Sequence, residues 1–217
     1  MKKILDFTKT FLLYLFIFLL HVVVGVGINF VADPVRQPLD SISHFLHPYI
    51  GLVSVVLSSA LLLFLTTLFT KFDLRSFFKK ADSKILLFTI SAAIIFNLIV
   101  TFKKVFLTGS IVSVPPWKDV VYTGRFLGPF IEEIFFRGFM LKSFYKLSDN
   151  FVLSAVVSSV FFSAVHYNPY APYFNLLLST FFLGLITCFL MVKYNNLWYC
   201  IAFHFTYNFV VWFTQNP

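Results

Sequence analysis

Phe11 to Phe30 is a stretch of twenty residues without a charged side chain, and similar apolar runs recur along the 217-residue chain. They cover Tyr49 to Thr70, Ile85 to Phe102, Phe151 to His166, Ala171 to Val192 and Leu197 to Phe213. About 20 apolar residues in a helix cross a hydrocarbon core of about 30 Å. Within that core every backbone amide must bond inside its own helix or a closed barrel. With one further helix from about Phe130 to Tyr145, the pattern predicts an all-α, polytopic transmembrane bundle of about seven spans. A composition 59% hydrophobic and 12% charged, with a mean hydropathy of +0.86, agrees.

The net charge of +8 does not point to nucleic acid. The lysines stand in short clusters between apolar runs, densest from Lys71 to Lys84, as loops on the cytoplasmic side of a membrane do. The expected location is therefore a membrane, multi-pass, with the amino terminus cytoplasmic, and the bacterial cell membrane is the one expected. Lys103, Lys104 and Lys118 run against that orientation. Ala32 to Pro48 reads as a polar loop, and Lys103 to Pro129, broken by glycines and prolines, as a loop or partly re-entrant segment. We divide the chain into amino-terminal spans (1–125) and a helical core (126–217), integrated into one membrane domain. Cys188 and Cys200 lie in apolar segments and read as buried hydrophobes, not as a disulfide or a nucleophile.

One span is chemically unlike the rest. Glu132 and Glu133 are the only glutamates in the sequence, and they sit with Arg137 in an otherwise apolar helix. Ionisable groups at membrane depth survive where they find partners or do chemistry. Glu133 and Arg137, at i and i+4, can pair on one face. Such a pair would satisfy Arg137 and leave Glu132, about 100° away around the helix, as the carboxylate available to water. The later spans add His166, His204 and Asn208, the last two again at i and i+4. Water activation by a carboxylate or imidazole, with an amide donor for an oxyanion, suits these residue types. A zinc ion held by Glu132, His166 and His204 is the alternative source of the nucleophile.

Glu132-Glu133-x-x-x-Arg137, Phe162-x-x-x-His166 and His204-x-x-x-Asn208, the last after Asn196-Leu197-Trp198, resemble the motif set of the CPBP (Abi) family. That family groups type II CAAX prenyl endopeptidases with bacteriocin-processing and immunity proteins of membranes. The resemblance spans roughly Gly128 to Phe213. It implies an intramembrane endopeptidase in which Glu132 and His166 activate water, His204 and Asn208 stabilise the oxyanion, and Glu133 and Arg137 support the site. It also implies a hydrophobic or lipidated peptide substrate in contact with membrane lipid, with no cofactor required other than zinc if the enzyme is a metalloprotease. No oligomeric state follows from the sequence.

Plainer readings compete. Glu133 and Arg137 could be a structural ion pair, His166 an interfacial histidine, and His204 with Asn208 an interhelical hydrogen-bonding patch. Asp40, His44 and His47 imitate a metal site by helical spacing but read as interfacial packing, and His21 and Asn97 as helix-contact residues. A non-catalytic immunity or scaffold protein of the same family is the alternative function. A proton pathway would be expected to show two related halves, which the sequence lacks.

Overall fold

The computed structural model describes residues 5–17, 19–20, 60–68, 73–108, 127–166 and 174–215. Among these the regular structure is entirely helical. Residues 5–17 (α1) and 60–68 (α2) are followed by a 3-10 turn, Leu74–Phe77, and by α3, Ser83–Thr108. Next comes α4, built from three consecutive segments: Leu127–Glu133, Ile134–Leu141 and Lys142–Ser148. Then follow α5 (Phe151–Ala164), α6 (Phe174–Tyr194) and α7 (Leu197–Gln215).

The apolar runs from Ile85 onward become helices, with two corrections. The segment expected to break up from Lys103 to Pro129 is helical at both ends, since α3 continues to Thr108 and α4 begins at Leu127. Gly128 and Pro129 fall in the first turn of α4, where a missing proline N–H costs no helical bond. The expectation of about seven spans is met only in part. Among the described residues one window, Leu177–Tyr194 in α6, is long and apolar enough to cross a bilayer, while Ser83–Ile99, Phe151–Ala164 and Leu197–Val211 are apolar but shorter. With 14 residues, α5 reaches only about 21 Å at roughly 1.5 Å per residue. Most of the first two expected spans, with His21, Asp40, His44 and His47, lies outside the described residues.

Local chemistry sets the helix ends. The expected turn at Asp149-Asn150 is present: Asp149 adopts the left-handed region at φ 52° and closes α4, and Asn150 Oδ1 accepts from Leu153 N at 3.0 Å to start α5. Asn195, at φ 46°, closes α6 in the same way.

The helix α4 lies at the centre, against α5, α6 and α7. Its middle segment, Ile134–Leu141, is buried throughout and wound as a π-helix. Such segments close i→i+5 bonds and concentrate at functional sites. Ser158 of α5 donates to the Phe136 carbonyl within it at 2.9 Å. Small residues bring the other helices close. A Cβ on Gly184 of α6 would lie 2.9 Å from Ser159 Cβ of α5, and Ser163 donates to the Leu177 carbonyl at 2.7 Å. Asn97 of α3 donates to the Tyr207 carbonyl of α7 at 3.3 Å, the helix-contact role expected of it.

At the far end of α4, Tyr14 of α1 shares a 2.8 Å hydrogen bond with Ser143. Phe7 and Tyr14 also pack on Phe144. The segment before α3 docks on the other side. Phe77 is buried against Gly138, where a Cβ would come within 2.9 Å of its ring. Asn196 donates to the Lys79 carbonyl, and Asp82 N donates to the Tyr199 hydroxyl.

Candidate active site

Three helices deliver the polar side chains that the sequence singled out. Glu132 and Glu133 end the first α-helical segment of α4, immediately before the π-helical turn. His166 lies just past α5, where the last turn tightens: Val165 N reaches the Phe161 carbonyl, and His166 N reaches the Ser163 carbonyl at 3.0 Å. His204 is in the middle of α7.

The inner layer is buried. Glu133 and Arg137 are fully buried and His204 is 1% exposed. Glu133 Oε1 accepts from His204 Nδ1 at 2.9 Å, and Glu133 Oε2 lies 3.2 Å from Arg137 Nε. The predicted i, i+4 pair is therefore present, but it does not satisfy the arginine as expected. Neither Nη1 nor Nη2 of Arg137 has a hydrogen-bond partner among the described residues. Instead the guanidinium carbon lies 4.1 Å from the centroid of the Phe162 ring. A cation over a buried aromatic face gains about 2 kcal/mol or more when desolvated, which partly compensates for the missing hydrogen bonds. Phe162 also meets the His204 ring edge-on at 5.3 Å and lies 4.9 Å from the His166 ring. One aromatic side chain thus separates and orients three polar ones.

The outer layer is partly open: the Glu132 side chain is 31% exposed and that of His166 28%. His166 Nδ1 lies 2.8 Å from the Phe162 carbonyl. A carbonyl can only accept, so Nδ1 carries the proton and Nε2 of a neutral ring carries the lone pair. The same logic applies to His204, whose Nδ1–H is held by Glu133. Both Nε2 atoms face Glu132 Oε2, at 3.9 Å for His166 and 4.0 Å for His204. Glu132 Oε2 is itself buried and without a hydrogen-bond partner among the described residues. Glu132 therefore does not point away from the Glu133 cluster as helical geometry suggested. The two neighbouring carboxylates bracket one imidazole.

As placed, these three atoms do not form a metal cage. Tetrahedral zinc with bonds of about 2.0–2.1 Å puts its ligand atoms about 3.3 Å apart, closer than the 3.9 and 4.0 Å from Glu132 Oε2 to the two Nε2 atoms. Among the described residues no three of His, Cys, Asp and Glu converge enough to hold a metal ion. Asn208 stands one turn beyond His204 and is half-buried, but no contact joins its amide to the cluster among the described residues. Cys188 and Cys200 form no disulfide and are fully buried.

Two contributors went unnoticed in the sequence. Gly128 lies one turn before Glu132, and a Cβ there would come within 3.3 Å of Glu132 Oε1, so its smallness leaves room for the carboxylate. Ser158 anchors the π-helical turn that follows the carboxylates. The only signal for either was a small or hydroxyl residue at helical spacing in an otherwise bulky sequence.

A comparison with protein families matches residues 119–210 to the model of the type II CAAX prenyl endopeptidase Rce1-like family. No curated protein and no solved structure matches the chain. The matched segment contains all six residues of the three polar motifs, from Glu132 to Asn208. Over that segment the chain is similar to the type II CAAX prenyl endopeptidase family of membrane proteases.

Proposed function

We propose that this protein is an integral-membrane endopeptidase that hydrolyses a peptide bond in a hydrophobic or lipidated substrate, with Glu132 as the base acting on water. The observation that carries this reading is the meeting of two hydrogen-bond acceptors, Glu132 Oε2 and the Nε2 atom of His166, at 3.9 Å. Acceptors that face one another need a donor between them. A water about 2.8 Å from each bridges such gaps with both protons engaged.

In the proposed reaction Glu132 takes one proton from that water, and the oxygen, oriented by His166 Nε2, attacks the scissile carbonyl carbon. The carbonyl oxygen becomes an oxyanion. His204 enters this step doubly protonated, its second proton taken up from bulk solvent beforehand and retained through the cycle, and donates to the oxyanion through Nε2, with the Glu132 and Glu133 carboxylates on either side of its ring. Asn208 is the second donor of this reading. The proton on Glu132 then passes to the leaving amine, and the C–N bond breaks. Arg137 and Phe162 position the inner layer.

The protein is proposed to be multi-pass in the bacterial cell membrane with its amino terminus cytoplasmic, a reading supported by the basic segment from Lys71 to Lys84. The test is cleavage of a quenched peptide library, including membrane-anchored and lipidated members, by purified protein in detergent. Wild type is compared with Glu132→Gln, each with and without a strong chelator. Loss of general-base catalysis lowers turnover about 10²–10⁴-fold. Wild-type turnover that survives the chelator supports the carboxylate-activated water, and turnover lost to the chelator and restored by zinc replaces it with a metalloprotease. Full turnover by Glu132→Gln refutes the assignment of the base.

A further inference from the structure

Away from the acidic cluster, a groove of about 440 Å³ opens between residues 79–81, α3 and α7. Leu86 and Ile90 of α3 form one wall, and Trp198 and Phe205 belong to the other. Lys79 and Lys80, both exposed, stand at its end. Nearby acids do not neutralise them. Asp73 accepts from Arg75 N, and Asp82 accepts from Lys84 N and Ile85 N, so both carboxylates cap backbone turns. Among the described residues no carboxylate pairs with Lys79 or Lys80. Lys79 also lies within electrostatic range of Lys142, which adds to the positive field.

We infer that this groove holds an acyl chain of an anionic phospholipid, with the headgroup phosphate between Lys79 and Lys80. The two halves of the site each exclude a different ligand. A soluble anion would satisfy the lysines and leave the apolar walls wet, whereas a zwitterionic lipid would cover the walls and bring no net charge to the lysines. Trp198, 42% exposed, is the residue type that settles at the level of lipid headgroups. Its ring also packs on Phe78 at 5.1 Å and on Phe130 at 6.2 Å, and Phe130 stands two residues before Glu132. A lipid seated here would therefore brace the segment that backs the carboxylate helix. The inference rests on the membrane reading of the chain and is independent of peptidase activity.

The test uses the full chain with Trp117→Phe and Trp212→Phe, which leaves Trp198 as the only tryptophan, reconstituted in phosphatidylcholine vesicles. Either phosphatidylglycerol or phosphatidylcholine carrying brominated acyl chains is then added as a minor component. Bromine quenches Trp198 only on close approach. Lysines near a membrane surface favour anionic lipid by roughly 5-fold each, so brominated phosphatidylglycerol is expected to quench at a concentration at least about 10-fold lower. In Lys79→Gln/Lys80→Gln that preference should disappear, and in Lys146→Gln/Lys193→Gln it should persist. Equal quenching by the two lipids, quenching by neither, or a preference that survives Lys79→Gln/Lys80→Gln would overturn the inference. Peptidase activity is not read, so failure of this test leaves the catalytic proposal standing.

Discussion

Neutralising Glu133 should destabilise the protein severely, and removing Arg137 at the same time should restore most of the loss. The carboxylate and the guanidinium are both fully buried, with Oε2 and Nε 3.2 Å apart. At an effective dielectric near 20 their attraction is about 5 kcal/mol. Truncating one member of a buried pair typically costs about 3–5 kcal/mol because the other charge is left without compensation. Here Arg137 has no second counterion among the described residues, and its Nη atoms have no hydrogen-bond partners there. Glu133→Gln should therefore lower stability by about 3–5 kcal/mol, or about 10 °C at roughly 2–4 °C per kcal/mol for a chain of this size. Arg137→Met alone should cost less, since Glu133 keeps its 2.9 Å partner in His204. The double variant places a neutral amide beside a thioether and should lie within about 1–2 kcal/mol of wild type. The fold supplies its own assay. Cys188 and Cys200, the only two cysteines, are fully buried, so a thiol-reactive fluorophore reports unfolding in detergent as they become accessible. Single-variant losses that add in the double variant within about 0.5 kcal/mol would refute the coupling.

The same assay checks two further expectations. Gly138→Ala should cost about 1–3 kcal/mol by forcing a methyl to within 3.0 Å of the Phe77 ring, and Phe77→Leu in the same chain should recover part of it. Ser158→Ala removes the hydroxyl that reaches the Phe136 carbonyl at 2.9 Å and should cost about 0.5–1.5 kcal/mol. Because that bond braces the turn after Glu133, peptide turnover should fall in this variant while its unfolding midpoint moves only a few degrees. Unchanged turnover would mean that the π-helical turn does not hold the carboxylates in place.

The helices from Ile85 onward were legible because apolar runs and their polar breaks are read directly from hydropathy, and the Asp149-Asn150 turn because both side chains favour caps. The winding of α4 was not legible. A segment buried on every side, as Ile134 to Leu141 is, presents no polar face whose period could separate an α from a π turn. Each π turn takes up one more residue than an α turn, which shifts the faces beyond it by about 100°. The pairing of Glu133 with Arg137 was still predictable from local spacing. The pairing of Glu133 with His204 was not, because it joins residues 71 apart. Likewise the burial of Phe77 inside a basic segment depends on Gly138, which in sequence is merely one small residue in a bulky helix. Asn208 was placed in the cluster by its motif, and no hydrogen bond joins its amide to the other five residues among the described ones.

The hydrogen bond between Tyr14 and Ser143 spans 129 residues of chain. Ribosomes add about 5–20 residues per second, so roughly 6 to 26 seconds separate synthesis of the tyrosine from that of its partner. During that interval Phe7, Phe11 and Tyr14 have none of the surface of Phe135, Phe144 and Phe161 against which they finally pack. The first helix must therefore wait with a phenol hydroxyl unpartnered by α4. The carboxylate helix receives this support only after most of the protein has been made.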